Sequence, residues 1–167
     1  MFTLKAISRE AIPGALELAH RYRLLNEPEL AESICLDVLA AEPDHQAALV
    51  NLLLALTDQF RGGPADCFER ARAVVPKIRD EYERHYYAGL IRERRGLAQL
   101  SHGGPGGGRA AAGWFREAMD EYEQAEAVRP PGNDNALLRW NACARAILHH
   151  HLEPEPEEFF QPALEDF

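Results

Sequence analysis

The stretch "LAESICLDVLAAEPDH", residues 30–45, decides how the chain is built. Leu30, Ala31, Ile34, Cys35, Val38 and Leu39 recur at steps of three and four, which is one face of an α-helix. Pro43 lies just past the helix end, where its missing N–H and ring forbid another turn. Ala31, Cys35, Val38 and Pro43 follow at steps of four, three and five. The same steps return in "AMDEYEQAEAVRP" as Ala118, Tyr122, Ala125 and Pro130. A helix ending that recurs with the same small residues points to a repeated packing unit.

Working outward, the spacing is helical throughout, and no β-branched run alternates with period two. Turn residues divide the chain into helices over about 10–25, 28–41, 45–59, 65–76, 79–99, 110–129 and 134–151. "NEP" at 26–28, "EPDH" at 42–45, "RGGP" at 61–64 and "RPPGNDN" at 129–135 mark four of the boundaries. Ser8 is placed to cap the first helix, and Asn133 or Asp134 the last. "SHGGPGGGR", residues 101–109, carries the composition of a mobile loop. It lacks the lysine and hydroxyl residue of a phosphate-binding loop. The fold class is therefore all-α.

The chain has 167 residues, 46% of them hydrophobic, enough to bury one domain's core. Its net charge of −9 argues against a general nucleic-acid or anionic-membrane binder, since both surfaces are themselves negative. The start has no signal-peptide pattern, and "AALVNLLLAL" is too short to span a bilayer. Cys35, Cys67 and Cys143 are scattered along helices, as reduced core cysteines of a cytoplasmic protein would be. The expected organisation is a helical domain over 1–152 and an acidic, aromatic tail over 153–167.

Ala19, Tyr22, Ala31, Cys35, Val38 and Pro43 resemble the tetratricopeptide repeat, whose small residues let two helices approach while larger ones fill the adjoining holes. Phe68, Ala71 and Pro76 resemble a degenerate second unit, with Pro64 at the leading alanine and Leu52, Leu53 and Leu56 in place of smaller residues. Ala88, Gly89 and Gly96 with Ala118, Tyr122, Ala125 and Pro130 resemble a third, and residues 134–151 resemble a capping helix. The resemblance covers residues 10–150. It implies a right-handed α-solenoid of three helix pairs plus the cap, with a concave groove that binds a peptide or protein segment. It also implies a protein–protein adaptor or scaffold without catalysis or cofactor.

On that resemblance the groove would present His20 and Arg23, then Asn51, Leu54 and Asp58, then Tyr86, Leu90, Glu93 and Arg94, and finally Arg139, Trp140 and Asn141. Of the Lys and Asn set that clamps a terminal carboxylate in one subgroup, only Asn51 has a counterpart. Leu16 and His20 occupy other places of that set. An enzyme site would have to gather around His20, His85 and Tyr86.

The remaining motifs favour plain structural roles. His149, His150 and His151 point about 100° apart on a helix and do not converge on one metal ion. "RERR" at 92–95 is set to pair with acidic neighbours or to meet an acidic partner, rather than to read nucleic acid. The tail is different. Residues 153–167 hold six acidic residues and no basic one, yet also Phe159, Phe160, Leu164 and Phe167. Three outcomes stand for it: packing on its own protomer or a neighbour as an oligomerising contact, serving as a motif for another protein, or remaining unfolded.

Overall fold

The computed structural model describes residues 1–152. Seven α-helices follow one another: α1 (Ile12–Leu24), α2 (Pro28–Ala41), α3 (Gln46–Asp58), α4 (Cys67–Val74), α5 (Glu81–His102), α6 (Gly107–Ala127) and α7 (Asn135–His149). There is no strand among the described residues. Short connections turn each helix back on its predecessor, so consecutive helices pack as neighbours. In addition α3 touches both α1 and α5. None of the helices is long and apolar enough to cross a membrane.

The small residues of the opening motif sit where helices approach most closely. Ala31, Cys35, Val38, Ala118, Tyr122 and Ala125 are all fully buried. Two larger cores result, one among α1–α4 around Leu49, Leu53, Leu56 and Phe68, the other among α5–α7 around Phe115 and Tyr122. Ile91 and Ala98 of α5 belong to the first core, whereas Tyr82 of the same helix belongs to the second. The long helix α5 therefore joins the two halves.

Gly89 and Gly96 make the α5–α6 approach feasible. A Cβ on Gly89 would lie 2.6 Å from Tyr122 Cε1, and one on Gly96 would lie 3.1 Å from Phe115 Cε1. The rings thus occupy the space that side chains at these two positions would need.

The glycine segment is shorter as a loop than its composition suggests. α5 continues through His102 and α6 starts at Gly107, leaving only 103–106 as the turn. Ser101 Oγ donates to Leu97 O at 3.0 Å, and His102 Nδ1 lies 2.8 Å from Ala98 O, so both side chains fold back onto the last full turn of α5. Gly103, Gly104 and Gly106 take positive φ in the turn itself. Gly107 is buried, with its Cβ direction toward Gln99 O, and Gly108 approaches Leu152 Cδ2.

One capping expectation changes and another is narrowed. Ser8 precedes a 3-10 turn (Arg9–Ala11) and makes no side-chain cap bond, because α1 starts only at Ile12. At α7 it is Asn133, not Asp134, whose Oδ1 accepts from Asn135 N, at 3.1 Å. Helix α4 ends at Val74, where Pro76 converts the chain to a 3-10 turn (Val75–Lys77).

Candidate functional site

A polar ladder crosses the molecule from α1 to α7. Arg23 of α1 donates through Nε to Asp58 Oδ2 of α3 at 2.7 Å, and Arg94 of α5 pairs with the other oxygen of Asp58. One residue earlier on α5, Glu93 accepts from Arg139 Nη1 of α7 at 3.0 Å and from Tyr122 Oη of α6 at 2.6 Å. Alternate helices are thereby tied side by side: α1 to α3, α3 to α5, and α5 to α7.

Glu93 is only 5% exposed, and both of its oxygens are engaged. Such a carboxylate is tolerable because one partner is cationic and the other a phenol donor. Burial, reinforced by the charge of Glu93 beside it, holds the Tyr122 phenol above its ordinary pKa. The hydroxyl accordingly remains a donor to Glu93.

The ladder borders an open cleft of about 500 Å³. Arg23, Arg61, Arg94 and Arg139 line it with Asp58 and Glu93, which leaves the charged lining at +2 in a chain of −9. Asn26 and Thr57 also face the cleft, and Leu24, Phe60 and Leu97 give it apolar contacts. Arg61 is exposed in the turn after α3 and makes no ion pair among the described residues. The lining thus sets guanidinium donors beside apolar surface.

Of the residues expected in a groove, Arg23, Asp58, Glu93, Arg94 and Arg139 are gathered here. Tyr86 lines a second cavity, about 350 Å³, with Tyr82, Tyr87, Asp80 and Glu83. Burial pushes the Tyr87 phenol up to about 12, and burial together with Asp80 raises the Glu83 carboxyl. Leu90 is a correction: at 2% exposure it belongs to the interior. Ala88, Gly89, Leu90 and Ile91 are all buried in succession, so α5 is covered on every side at that level.

Leu54 is half-buried against the first core, and Asn51 spends its amide donor on Ala47 O, 2.9 Å away in its own helix. Trp140 turns toward α6, donating to Glu123 Oε1 at 3.0 Å. Asn141 is half-buried and His20 is exposed, and neither lines either cavity. Phe159, Phe160, Leu164 and Phe167 lie outside the described residues.

Of His20, His85 and Tyr86, only Tyr86 lines the second cavity. His85 Nδ1 lies 2.9 Å from Glu121 Oε2, a carboxylate shared with Arg92, and neither His85 nor His20 lines the cavity of Tyr86. Burial pushes the Cys35 and Cys143 thiols up to about 12 and raises that of Cys67, which favours the protonated thiol at each position. The "RERR" cluster pairs largely as its neighbours allow. Arg92 meets Glu117 and Glu121, Arg94 meets Asp58, and Arg95 stands over the Phe68 ring at 5.2 Å.

Sequence reasoning missed Arg61 and Tyr122 as site residues. Arg61 stands in a turn segment that carries no helical period. Tyr122 was assigned only to packing, and its hydroxyl's partner lies 29 positions away. No family model matches the chain, and no curated protein or solved structure matches it either.

Proposed function

We propose that this protein is a non-catalytic adaptor, built as a right-handed tetratricopeptide-like solenoid, that binds an acidic segment of a partner protein in the cleft beside α1, α3, α5 and α7. The observation that carries the reading is the convergence of four arginines, from three helices and one turn, on a single open cleft. Asp58 is already held by Arg23 and Arg94, and Glu93 by Arg139 and Tyr122. The surplus positive charge, with Arg61 at its edge, is left for a ligand. Leu24, Phe60 and Leu97 would receive an apolar anchor between the acidic contacts.

The side-by-side ties among α1, α3, α5 and α7 favour the solenoid arrangement, because first helices of successive pairs line the groove in such proteins. The buried thiols and the separated histidines favour binding over catalysis.

Arg61 provides the test, since it is exposed and its replacement disturbs no described ion pair. Titration calorimetry with a fluorescein-free acidic peptide containing paired phenylalanines should give a Kd that weakens as salt rises. Arg61→Glu should weaken it about tenfold, near 1.4 kcal/mol, with unchanged circular dichroism. Equal affinity for the acidic peptide and its Gln-substituted counterpart would overturn the reading.

A further inference from the structure

We propose that residues 153–167 of the chain dock in the cleft of their own protomer and compete there with the partner segment. This inference rests on the cleft being a site for acidic segments and names the occupant it holds at rest.

Three observations support it. The first is charge: six acidic residues and no basic one in the tail face a lining with a surplus of two positive charges. The second is composition: the tail combines its acids with Phe159, Phe160, Leu164 and Phe167, and the cleft lining combines arginines with Leu24, Phe60 and Leu97. Aromatics of this kind gain little in a purely solvated tail, whereas a guanidinium-lined cleft accepts both their rings and their acidic neighbours.

The third is where the described chain ends. Leu152 is buried in the core of α5–α7 and lies against Gly108, in the first turn of α6. The neighbouring Gly107 faces Gln99 of α5. Along α5 the cleft residues Leu97, Arg94 and Glu93 lie only two to six positions before Gln99. At 1.5 Å per residue that is about 3–9 Å along the axis. Crossing two helix spacings at right angles to that axis covers about 16–20 Å, so the combined path is about 16–22 Å. The seven residues from Leu152 to Phe159 extend to about 24 Å, which is enough to bring the paired phenylalanines to the cleft.

The experiment compares three full-length proteins: the unaltered chain, a Phe159→Ala/Phe160→Ala variant, and that variant with Arg61→Glu added. The probe is a synthetic peptide of residues 153–167, with affinity read by calorimetry and mass by light scattering. Thermal melts check that the tail substitutions leave stability unchanged.

The expected result is that the double-alanine variant binds the peptide at least tenfold more tightly than the unaltered chain, that Arg61→Glu reverses the gain, and that all three proteins are monomers. Equal, Arg61-dependent binding to the first two proteins would overturn self-docking while leaving the cleft as an acidic-segment site. A dimer of the unaltered chain that dissociates in the double-alanine variant would overturn docking in the same protomer and assign the tail to a second copy. Absence of binding to all three would overturn both the docking and the function proposed for the cleft.

Discussion

Tyr122→Ala should lower the unfolding free energy by about 4 kcal/mol, the scale for emptying a large aromatic site in a core. The ring has no exposure, fills the space left by Gly89, and stands beside Tyr86 at a centroid distance of 5.9 Å. Alanine leaves a void that α5 and α6 cannot close without moving their backbones, because Gly89 has no side chain to advance into it. The substitution also strips Glu93 of its phenol donor. Urea unfolding should show a reduced midpoint, and the near-ultraviolet signal of the folded state should weaken. Tyr122→Phe retains the ring and should cost about 2 kcal/mol, the scale of a lost hydrogen bond to a buried charged group. A similar cost for both substitutions would mean that the hydroxyl, and not the packing of the ring against Gly89, governs the α5–α6 contact.

Glu93→Ala should cost about 3 kcal/mol, because breaking a buried ion pair from one side strands its partners. Arg139 keeps some access to water, with 34% of its side chain exposed, whereas the Tyr122 hydroxyl has none. Most of the loss should therefore come from the stranded phenol. In a Tyr122→Phe background the same Glu93→Ala change should cost clearly less, and a double-mutant cycle by chemical denaturation measures the difference. The ladder carries an opposite expectation for binding. Removing Glu93 raises the cleft's surplus charge, so in the Phe159→Ala/Phe160→Ala background, where the tail does not compete, the destabilised variant should bind an acidic peptide several-fold more tightly at low salt. Loss of affinity in step with loss of stability would show that Glu93 shapes the cleft chiefly through the fold.

How the sequence reveals these features depends on the range of the interaction. The helix ends at Pro43 and Pro130 were legible because proline acts within a turn or two of itself. The series Ala31, Cys35, Val38 and Ala118, Tyr122, Ala125 was legible because helical period and residue size together mark a close crossing, and all six are buried. The loop at 101–109 was overestimated because glycine content speaks to intrinsic propensity. Gly107 and Gly108 are helical and sit where the space beside them is taken by Gln99 and Leu152. Propensity yields there to packing.

The site was legible in part for a related reason. Period places Tyr86, Leu90, Glu93 and Arg94 on one stripe of α5, but not which stretch of that stripe its neighbours cover. Leu90 is enclosed at the level where four successive residues are buried, while Arg94 reaches the cleft one turn further on. The Arg23–Asp58–Arg94 and Arg139–Glu93–Tyr122 connections join residues 29 to 46 positions apart. Only the folded chain supplies those pairings. Arg61, in a turn with no period, gives no local sign of facing the same cleft.

The most direct measurement is a two-dimensional ¹⁵N NMR titration of the full-length Phe159→Ala/Phe160→Ala variant with the peptide of residues 153–167, following the arginine Nε–Hε resonances. The account predicts saturable shifts for Arg23, Arg61, Arg94 and Arg139 together, with Arg72 and Arg79, which lie away from the cleft, unmoved. Shifts spread evenly over all arginines, or none at the four cleft positions, would contradict it.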